Sequence, residues 1–387
     1  MTVLGWLRQP GQRAQVPACL LLAVATLWGV FRTARSVAML FDVSHDLDIL
    51  YSLWFVLEHR EYADIALGQA LYLPHTWLVL TPFFLLGWPA ARLLVALVNV
   101  GCVFYIWWRL SELAELRGVR RYLLLALFWD WLGTGIAIGL GNLVPVCVAA
   151  VLAAYPFGSQ RSSVLLTLAA MKQSLVFPVY FQLLFRRSKL LVVPCAVFAV
   201  CGVAVLGWAR LSPLEGLRLT RGAMATANAW RLYDYTCLRR LLELLMRPGP
   251  ALVVAMWLIW FALFGLVWRF LRDGLVQLSG LLLLSLLPMY HQHYDLVAAA
   301  PVLALLLQRC SLVWPALMTV CLVVNPGATL DRLPGASPWL AAARGLAAVY
   351  YPVLILALLG GLFYLEHGRP REARAAGERS AGGGGGG

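Results

Sequence analysis

The chain has 387 residues, of which 61% are apolar and 13% are charged, and its mean hydropathy is +0.78. Soluble domains carry about 25% charged and 45–50% apolar residues, so this composition excludes a soluble globular enzyme, a disordered chain and a coiled coil, and it predicts a polytopic membrane protein. The formal net charge is +13, and because the basic residues lie mostly in short connections between apolar runs, it indicates membrane topology and contacts with anionic lipids, not nucleic-acid binding.

Apolar runs of helical length recur along most of the chain. We expect an all-α fold, a polytopic transmembrane helical bundle with about 11–13 spans, because a helix satisfies its own backbone hydrogen bonds in lipid. The sequence predicts twelve spans, at residues 16–31, 71–88, 90–108, 122–138, 142–156, 163–185, 190–208, 251–268, 275–290, 293–308, 311–325 and 345–364.

The bundle is predicted to form a single transmembrane domain over residues 1–365. Residues 366–387 are rich in Gly and Arg and end in six glycines. Such a segment has no apolar surface to bury, so we expect a disordered cytoplasmic tail.

Charge in the connections predicts the topology. With the N-terminus in the cytoplasm, alternating spans place the basic turns at 186–189, 269–272 and 309 inside, in agreement with the positive-inside rule. The connection 109–121, with four arginines and two glutamates, falls outside and disagrees. Two long loops, about 32–70 and 209–250, then face outward, which predicts a multi-pass protein with a site facing the periplasm or cell exterior.

The first outer loop concentrates acidic residues. Six of the chain's 18 acids lie between Asp42 and Asp64. The apolar run 49–57 reads as an interfacial helix that holds Asp46 and Asp48 near the lipid head groups. The alternative is an ordinary solvated acidic loop. A second polar group, His291 to Asp295, lies between two apolar runs at the outer end of a span, where polar residues are costly and tend to be functional.

Two charged residues, Asp130 and Lys172, lie within predicted spans. An unpaired charge at such depth costs about 2.5–3.5 kcal/mol on insertion scales. The two residues either pair with each other, or Lys172 reaches toward an interface, or Lys172 neutralises an anionic ligand in a cavity. No Walker, Rossmann or HExxH motif occurs, so we predict no nucleotide site, no cofactor and no metal ligands, and a metal requirement stays open.

The order of these motifs resembles the GT-C superfamily of membrane glycosyltransferases. It is most similar to glycosyltransferase family 87, the polyprenyl-phosphate-mannose-dependent α-mannosyltransferases. The stretch 46–51, Asp-Leu-Asp-Ile-Leu-Tyr, is similar to the family's outer-loop motif, with Leu50 in place of its first tyrosine. The stretch 72–74, Tyr-Leu-Pro, resembles its Tyr-Pro-Pro with one proline.

Later motifs follow in the same order. The stretch 139–142, Gly-Leu-Gly-Asn, resembles the family's Gly-Gln-x-Asn with Leu140 in place of the glutamine. Lys172 corresponds to its mid-span lysine, and the stretch 288–294, Pro-Met-Tyr-His-Gln-His-Tyr, is similar to its late His-Tyr motif.

The resemblance implies a GT-C-like enzyme, a hexosyltransferase that moves a sugar, mannose in the family, from a polyprenyl-phosphate donor to a lipid or glycan acceptor outside the cytoplasmic membrane. It implies Asp46 as general base, with Lys172 and His293 binding the donor phosphate. Secondary candidates are Asp48, Tyr51, Asn142, His291 and Tyr294. Two alternatives stay open: a transporter or flippase of lipid-linked sugars, and a non-catalytic membrane subunit.

Overall fold

The computed structural model describes residues 16–42, 47–48, 50–51, 75–208, 212–215, 218, 237–288, 293–323, 330 and 337–367. Within these ranges all regular structure is helical, which confirms the all-α class. The α-helices are α1 (Val16–Asp42), α2 (His75–Phe84), α3 (Trp88–Leu113), α4 (Val119–Asp130), α5 (Leu132–Gly139), α6 (Val144–Ala154), α7 (Gln160–Ala169), α8 (Gln173–Phe185), α9 (Val192–Trp208), α10 (Leu238–Glu243), α11 (Pro250–Phe270), α12 (Gly274–Ser285), α13 (Ala300–Arg309), α14 (Val313–Val323), α15 (Pro338–Ala348) and α16 (Tyr350–His367). Short 3₁₀ helices cover Ala170–Lys172, Lys189–Leu191 and His293–Ala299.

Apolar side chains fill the centre of the bundle and also cover its outside. Trp131 and Trp260 are fully buried, whereas Leu27, Val203 and Leu346 are more than two-thirds exposed. Helices that are apolar on their outer surfaces as well as on their packed faces are typical of proteins embedded in lipid. The structure therefore supports a membrane-embedded helical bundle.

The number of long apolar helices is smaller than the predicted number of spans. Among the described residues, five stretches are long and apolar enough to cross a membrane: Trp88–Leu113, Gln160–Phe185, Lys189–Gly207, Pro250–Phe270 and Tyr350–His367. A sixth results if α4 and α5, which meet at a 58° bend, count as one. Other predicted spans correspond to helices of 10–12 residues, such as α6, α12 and α13, and about 15–18 Å of helix does not cross a core about 30 Å thick.

The stretch Gln160–Phe185 has the length of a span but folds back on itself. The Tyr180 hydroxyl donates a hydrogen bond to the Leu166 carbonyl at 2.8 Å, although 14 residues separate them. In a straight helix that separation would be about 21 Å. Ser163 Oγ likewise donates to the Leu190 carbonyl at 2.5 Å. Helix α7, the 3₁₀ turn and α8 therefore form a hairpin, here called the re-entrant hairpin, with its tip at Lys172.

Side-chain contacts show that several helix termini lie together at one end of the bundle. Arg109 donates to the Tyr155 carbonyl at 2.8 Å, and Arg120 donates to the Gln308 carbonyl at 3.1 Å. Arg309 pairs with Asp273 at 2.7 Å. Together with the turn at 186–189, these segments define what we call the basic end. The predicted alternation of spans is wrong for the connection 109–121, because Arg120 lies against Gln308, beside the arginine that the same scheme places inside.

The direction of α4 and α5 explains why the connection 109–121 lies at the basic end. A Cβ atom at Gly29 would touch Trp129, one at Gly135 would touch Ser36, and one at Gly141 would touch Leu40. Residue numbers rise together along the contact, so α4 and α5 run parallel to α1 and not antiparallel to it. The connection before α4 therefore lies at the same end as the start of α1.

The other end of the bundle holds the end of α1 and the start of α3. Helix α1 continues to Asp42, beyond the predicted boundary at residue 31. Arg92 donates to the Phe41 carbonyl at 2.6 Å. Along α3, Arg92 and Arg109 are about 26 Å apart. We call the region of residues 41–42, 47–48, 50–51, 84–92 and 140–142 the acidic end, after the acidic residues predicted there.

Candidate functional site

An ion pair between Lys172 and Asp295 lies inside the bundle. The lysine Nζ is 2.5 Å from the aspartate Oδ1, and the two side chains are 15% and 1% exposed. The residues are 123 positions apart in the chain. Removing one partner of a buried pair leaves an uncompensated charge and costs about 3–5 kcal/mol. Removal of either residue alone is therefore expected to destabilise the protein.

Both partners lie on segments that interrupt α-helices. At Lys172 the backbone takes φ −115° and ψ 85°, which ends the 3₁₀ turn before α8 begins. Thr76 Oγ1 donates to the Met171 carbonyl at 3.4 Å and satisfies one backbone group at this break. Asp295 lies in the 3₁₀ helix His293–Ala299, which packs against α5 and α6. Interrupted helices within a membrane occur where protein or a cavity covers the freed backbone groups.

The depth of the ion pair follows from α8. This helix has 13 residues, about 20 Å of rise, between Lys172 and the basic end at Arg186. In a hydrocarbon core about 30 Å thick, the pair lies in the half nearer the acidic end. This is the end that carries the predicted acidic loop.

The acidic loop is anchored at one described point. The Leu47 amide donates to the Leu140 carbonyl at 3.1 Å, and the Leu47 and Leu50 side chains are fully buried. Gly141 has φ +67°, and a Cβ atom there would lie 2.7 Å from the Leu47 Cβ. Glycine is required at this turn for both its backbone conformation and its small size. The Gly-Leu-Gly-Asn stretch therefore fixes the residue that lies between Asp46 and Asp48.

Two of the secondary candidates lie at this anchor. Asp48 is 3.9 Å from Arg92, and its side chain is 44% exposed. An exposed pair at this distance stabilises little, so the carboxylate stays accessible. The Tyr51 ring packs against Phe84 and Trp88 at centroid distances of 5.3 and 4.7 Å, which is a packing role.

Asn142 has a structural role in the described contacts. Its Oδ1 accepts a hydrogen bond from the Val144 amide at 3.0 Å, at the start of α6. Its carbonyl accepts another from Asn99 Nδ2 at 3.1 Å. Asn142 is fully buried, so it holds the turn in place and joins it to α3.

The remaining predicted residues lie at the edges of the described chain. Asp46 and His291 are outside the described residues, and for His293 and Tyr294 only the backbone, at the start of the 3₁₀ helix, is described. Their predicted roles stay predictions. The structure does bring the segment that begins at His293 to Lys172.

Asp295 is the residue that sequence reasoning missed. It belongs to the predicted polar group at 291–295, but Asp130, whose side chain is outside the described part of the chain, was the partner considered for Lys172. The sequence feature that could have identified Asp295 is that it is an acidic residue lying between two apolar runs. In the described ranges, no group of three or more His, Cys, Asp or Glu residues is arranged to hold a metal ion.

Comparisons with protein-family models, with curated proteins and with solved structures find no match for this chain.

Proposed function

We propose that this protein is a membrane glycosyltransferase of the GT-C type. It transfers a sugar, mannose in our proposal, from a polyprenyl-phosphate donor to a lipid or glycan acceptor at the outer face of the cytoplasmic membrane. The observation that carries the proposal is the Lys172–Asp295 pair at the tip of the re-entrant hairpin. A lipid-linked donor keeps its phosphate close to the membrane, and a cation held inside the bundle suits such a substrate.

The unequal exposure of the pair supports a role for the lysine. Asp295 is almost completely enclosed, whereas Lys172 keeps some exposure. An ammonium group has three N–H donors. One is directed to Asp295, which orients the side chain, and 15% of the lysine side chain is exposed. A phosphate that gains negative charge as its bond to the sugar breaks is stabilised by such a donor.

The proposed reaction is a direct displacement. The acceptor hydroxyl attacks the anomeric carbon of the sugar, its proton moves to the Asp46 carboxylate, and polyprenyl phosphate leaves with the electrons of the broken C–O bond. Lys172 and His293 bind the leaving phosphate. The assignment of the base to Asp46 follows from the resemblance, and its neighbour in the sequence, Leu47, is hydrogen-bonded to the Leu140 carbonyl.

The test is a transfer assay with the purified protein in lipid. Given labelled polyprenyl-phosphate-mannose and a lipid extract, the protein should form a new glycolipid. Asp46→Asn should abolish product but leave donor binding nearly unchanged, because Asn keeps the shape and cannot accept the proton. Asp48→Asn is the matched control and should be milder. An active Asp46→Asn with an inactive Asp48→Asn would move the base to Asp48, and full activity in both would rule out an aspartate base in this segment.

A transporter or flippase of lipid-linked sugars is the second candidate. The re-entrant hairpin favours it, since transporters bind charged substrates at broken helices within the membrane. Movement of the labelled donor across vesicle membranes without a glycolipid product would select this function. Neither product nor movement would leave a non-catalytic membrane subunit.

A further inference from the structure

A pocket lined by arginines lies at the basic end, remote from the Lys172–Asp295 pair. Its volume is about 350 Å³, and its lining residues are Arg186, Trp268, Arg269, Arg272 and Gln277. A second cavity of about 270 Å³ shares three of these residues and extends to Tyr155 and Gly274. Helix α8 separates the pocket from Lys172 by about 20 Å. The pocket is thus distinct from the proposed donor site.

The lining carries three positive charges from different segments. Arg186 follows α8, Arg269 is in the last turn of α11, and Arg272 is in the connection to α12. In the part of the chain that the structure describes, no carboxylate lies within 4 Å of these three guanidinium groups. The positive-inside rule predicts basic residues in the connections, but it does not predict that they line one cavity.

The nearby acids have other contacts. Asp273 pairs with Arg309 at 2.7 Å and accepts hydrogen bonds from the Leu275 and Val276 amides at the start of α12. Glu366 accepts from the backbone amides of Arg272 and Asp273 at 3.4 and 3.3 Å. The described contacts of these two carboxylates are therefore with groups other than the three pocket guanidinium groups.

The walls of the pocket are held by packing and hydrogen bonds. Trp268 stacks on Phe185 at a centroid distance of 5.2 Å. Gln277 Oε1 accepts hydrogen bonds from Gln182 at 2.5 Å and Arg186 at 3.3 Å, and its Nε2 donates to the Leu271 carbonyl at 2.7 Å. These contacts fix the Trp268 and Gln277 walls and orient Arg186 before a ligand arrives, which lowers the entropic cost of binding.

We propose that this pocket binds a phosphate group. Arginine forms bidentate, charge-assisted hydrogen bonds with phosphate oxygens, and basic pockets between membrane helices hold the head groups of anionic lipids. The pocket lies where two apolar helices, α8 and α11, end, which is the depth of lipid head groups. The phosphate belongs either to an anionic phospholipid or to a soluble phosphate-bearing molecule.

The experiment measures ligand binding to the full-length protein in neutral detergent. The probes are labelled phosphatidylglycerol, phosphatidylcholine as the neutral lipid, and inorganic phosphate as a competitor. We expect saturable binding of phosphatidylglycerol and none of phosphatidylcholine. The variant Arg186→Gln/Arg269→Gln/Arg272→Gln should bind at least about tenfold more weakly, because it removes the charge-assisted hydrogen bonds to the phosphate. If it does not fold, the single change Arg272→Gln should weaken binding in the same direction.

The matched control is Arg117→Gln/Arg187→Gln/Lys189→Gln, which removes the same charge from exposed positions outside the pocket. It should bind like the unmodified protein. Displacement of the lipid by inorganic phosphate identifies a soluble ligand, and resistance to displacement identifies the lipid head group. Equal weakening in both triple variants, or no saturable binding of either anionic probe, would overturn the proposal.

Discussion

The Lys172 ammonium and the Asp295 carboxylate explain each other's presence in an apolar bundle. Alone, either charge would be costly in lipid, and together the cost of desolvation is offset by their contact. A pair of this kind has two possible reasons to exist. It stabilises the hairpin tip, or it holds the lysine for a ligand, and the two roles predict different behaviour of the same variants.

Lys172→Met should destabilise the protein by about 3–5 kcal/mol, because Asp295 is left buried without its cation. Lys172→Met/Asp295→Leu removes both charges and should recover most of that stability. If Lys172 binds the donor phosphate, transfer activity stays lost in both variants. Thermal unfolding in detergent and the transfer assay measure the two properties separately.

The control for this pair is Glu112→Gln, which breaks an ion pair with Arg109 at 3.4 Å in which the glutamate side chain is 45% exposed, and it should change stability by less than about 1 kcal/mol. Recovery of transfer together with stability in Lys172→Met/Asp295→Leu would show that the pair is structural and would remove Lys172 from the proposed mechanism.

Gly141→Ala should weaken both stability and transfer. Its left-handed backbone costs a non-glycine residue about 1–2 kcal/mol, and the new Cβ would press on Leu47, which displaces the segment between Asp46 and Asp48. Gly345→Ala is the control, since that glycine is helical with nothing within 4 Å of a new Cβ. It should leave transfer unchanged and raise stability by about 0.5–1 kcal/mol. Unfolding temperatures and transfer rates of the two variants test this.

Part of the candidate site is predictable from single residues. Lys172 is predicted because a cation in an apolar run is rare, and residues 291–295 are predicted because they are polar and lie between two such runs. The contact between these two segments is not predictable in this way, because hydropathy carries no information about which distant segments pack together. Asn142 was predicted from motif order, and its described contacts with Val144 and Asn99 show a turn residue.

At the scale of elements, the predicted spans at 90–108, 190–208, 251–268 and 345–364 agree with α3, α9, α11 and α16. The runs 90–108 and 251–268 each lie within one uninterrupted α-helix, whereas Val349 separates α15 from α16 inside the run 345–364. The run 163–185 is also apolar enough to cross a membrane, but it contains the break at Lys172. A 26-residue apolar stretch that crosses the membrane and one that turns back have the same hydropathy, and the Tyr180–Leu166 contact is what distinguishes them.

The re-entrant hairpin predicts a cross-link. With the native cysteines replaced, Ser163→Cys and Leu190→Cys should be joined by a thiol reagent about 10 Å long, because Ser163 Oγ contacts the Leu190 carbonyl. In a straight helix from residue 160 to 185, about 33 Å would separate position 163 from the end of the helix. Ser163→Cys with Gly207→Cys is the control and should not react as a pair, since α9 rises about 26 Å between 190 and 207. After the chain is cut between the two positions, gel mobility shows whether the two fragments are still joined. Absence of the cross-link between Ser163→Cys and Leu190→Cys would contradict the hairpin.

At the scale of the whole molecule, charge is sorted by end. The connection 109–121 appeared to break the positive-inside rule only because each apolar run was assumed to reverse the direction of the chain. With α4 and α5 parallel to α1, its four arginines join those at 186–187, 269–272 and 309. Placed at the basic end, this connection agrees with the positive-inside rule, and strict alternation of the spans is wrong for it.

This arrangement predicts which positions an impermeant thiol reagent can reach. Arg117→Cys and Ser188→Cys should react only after the membrane is opened, because both belong to the basic end, which faces the cytoplasm under the positive-inside rule. Asp64→Cys, in the predicted outer loop, should react in intact spheroplasts. Labelling of Arg117→Cys in intact spheroplasts alongside Asp64→Cys would restore the alternating scheme and contradict the shared end.

The long separation of Lys172 from Asp295 also has a consequence for biosynthesis. Ribosomes add about 5–20 residues per second, so the 123 residues between the two partners take about 6–25 s to make. During that interval the lysine has no Asp295 to offset its charge, and entering lipid costs about 2.5–3.5 kcal/mol. We therefore expect the nascent hairpin to enter the bundle more readily after the segment that carries Asp295 has left the ribosome.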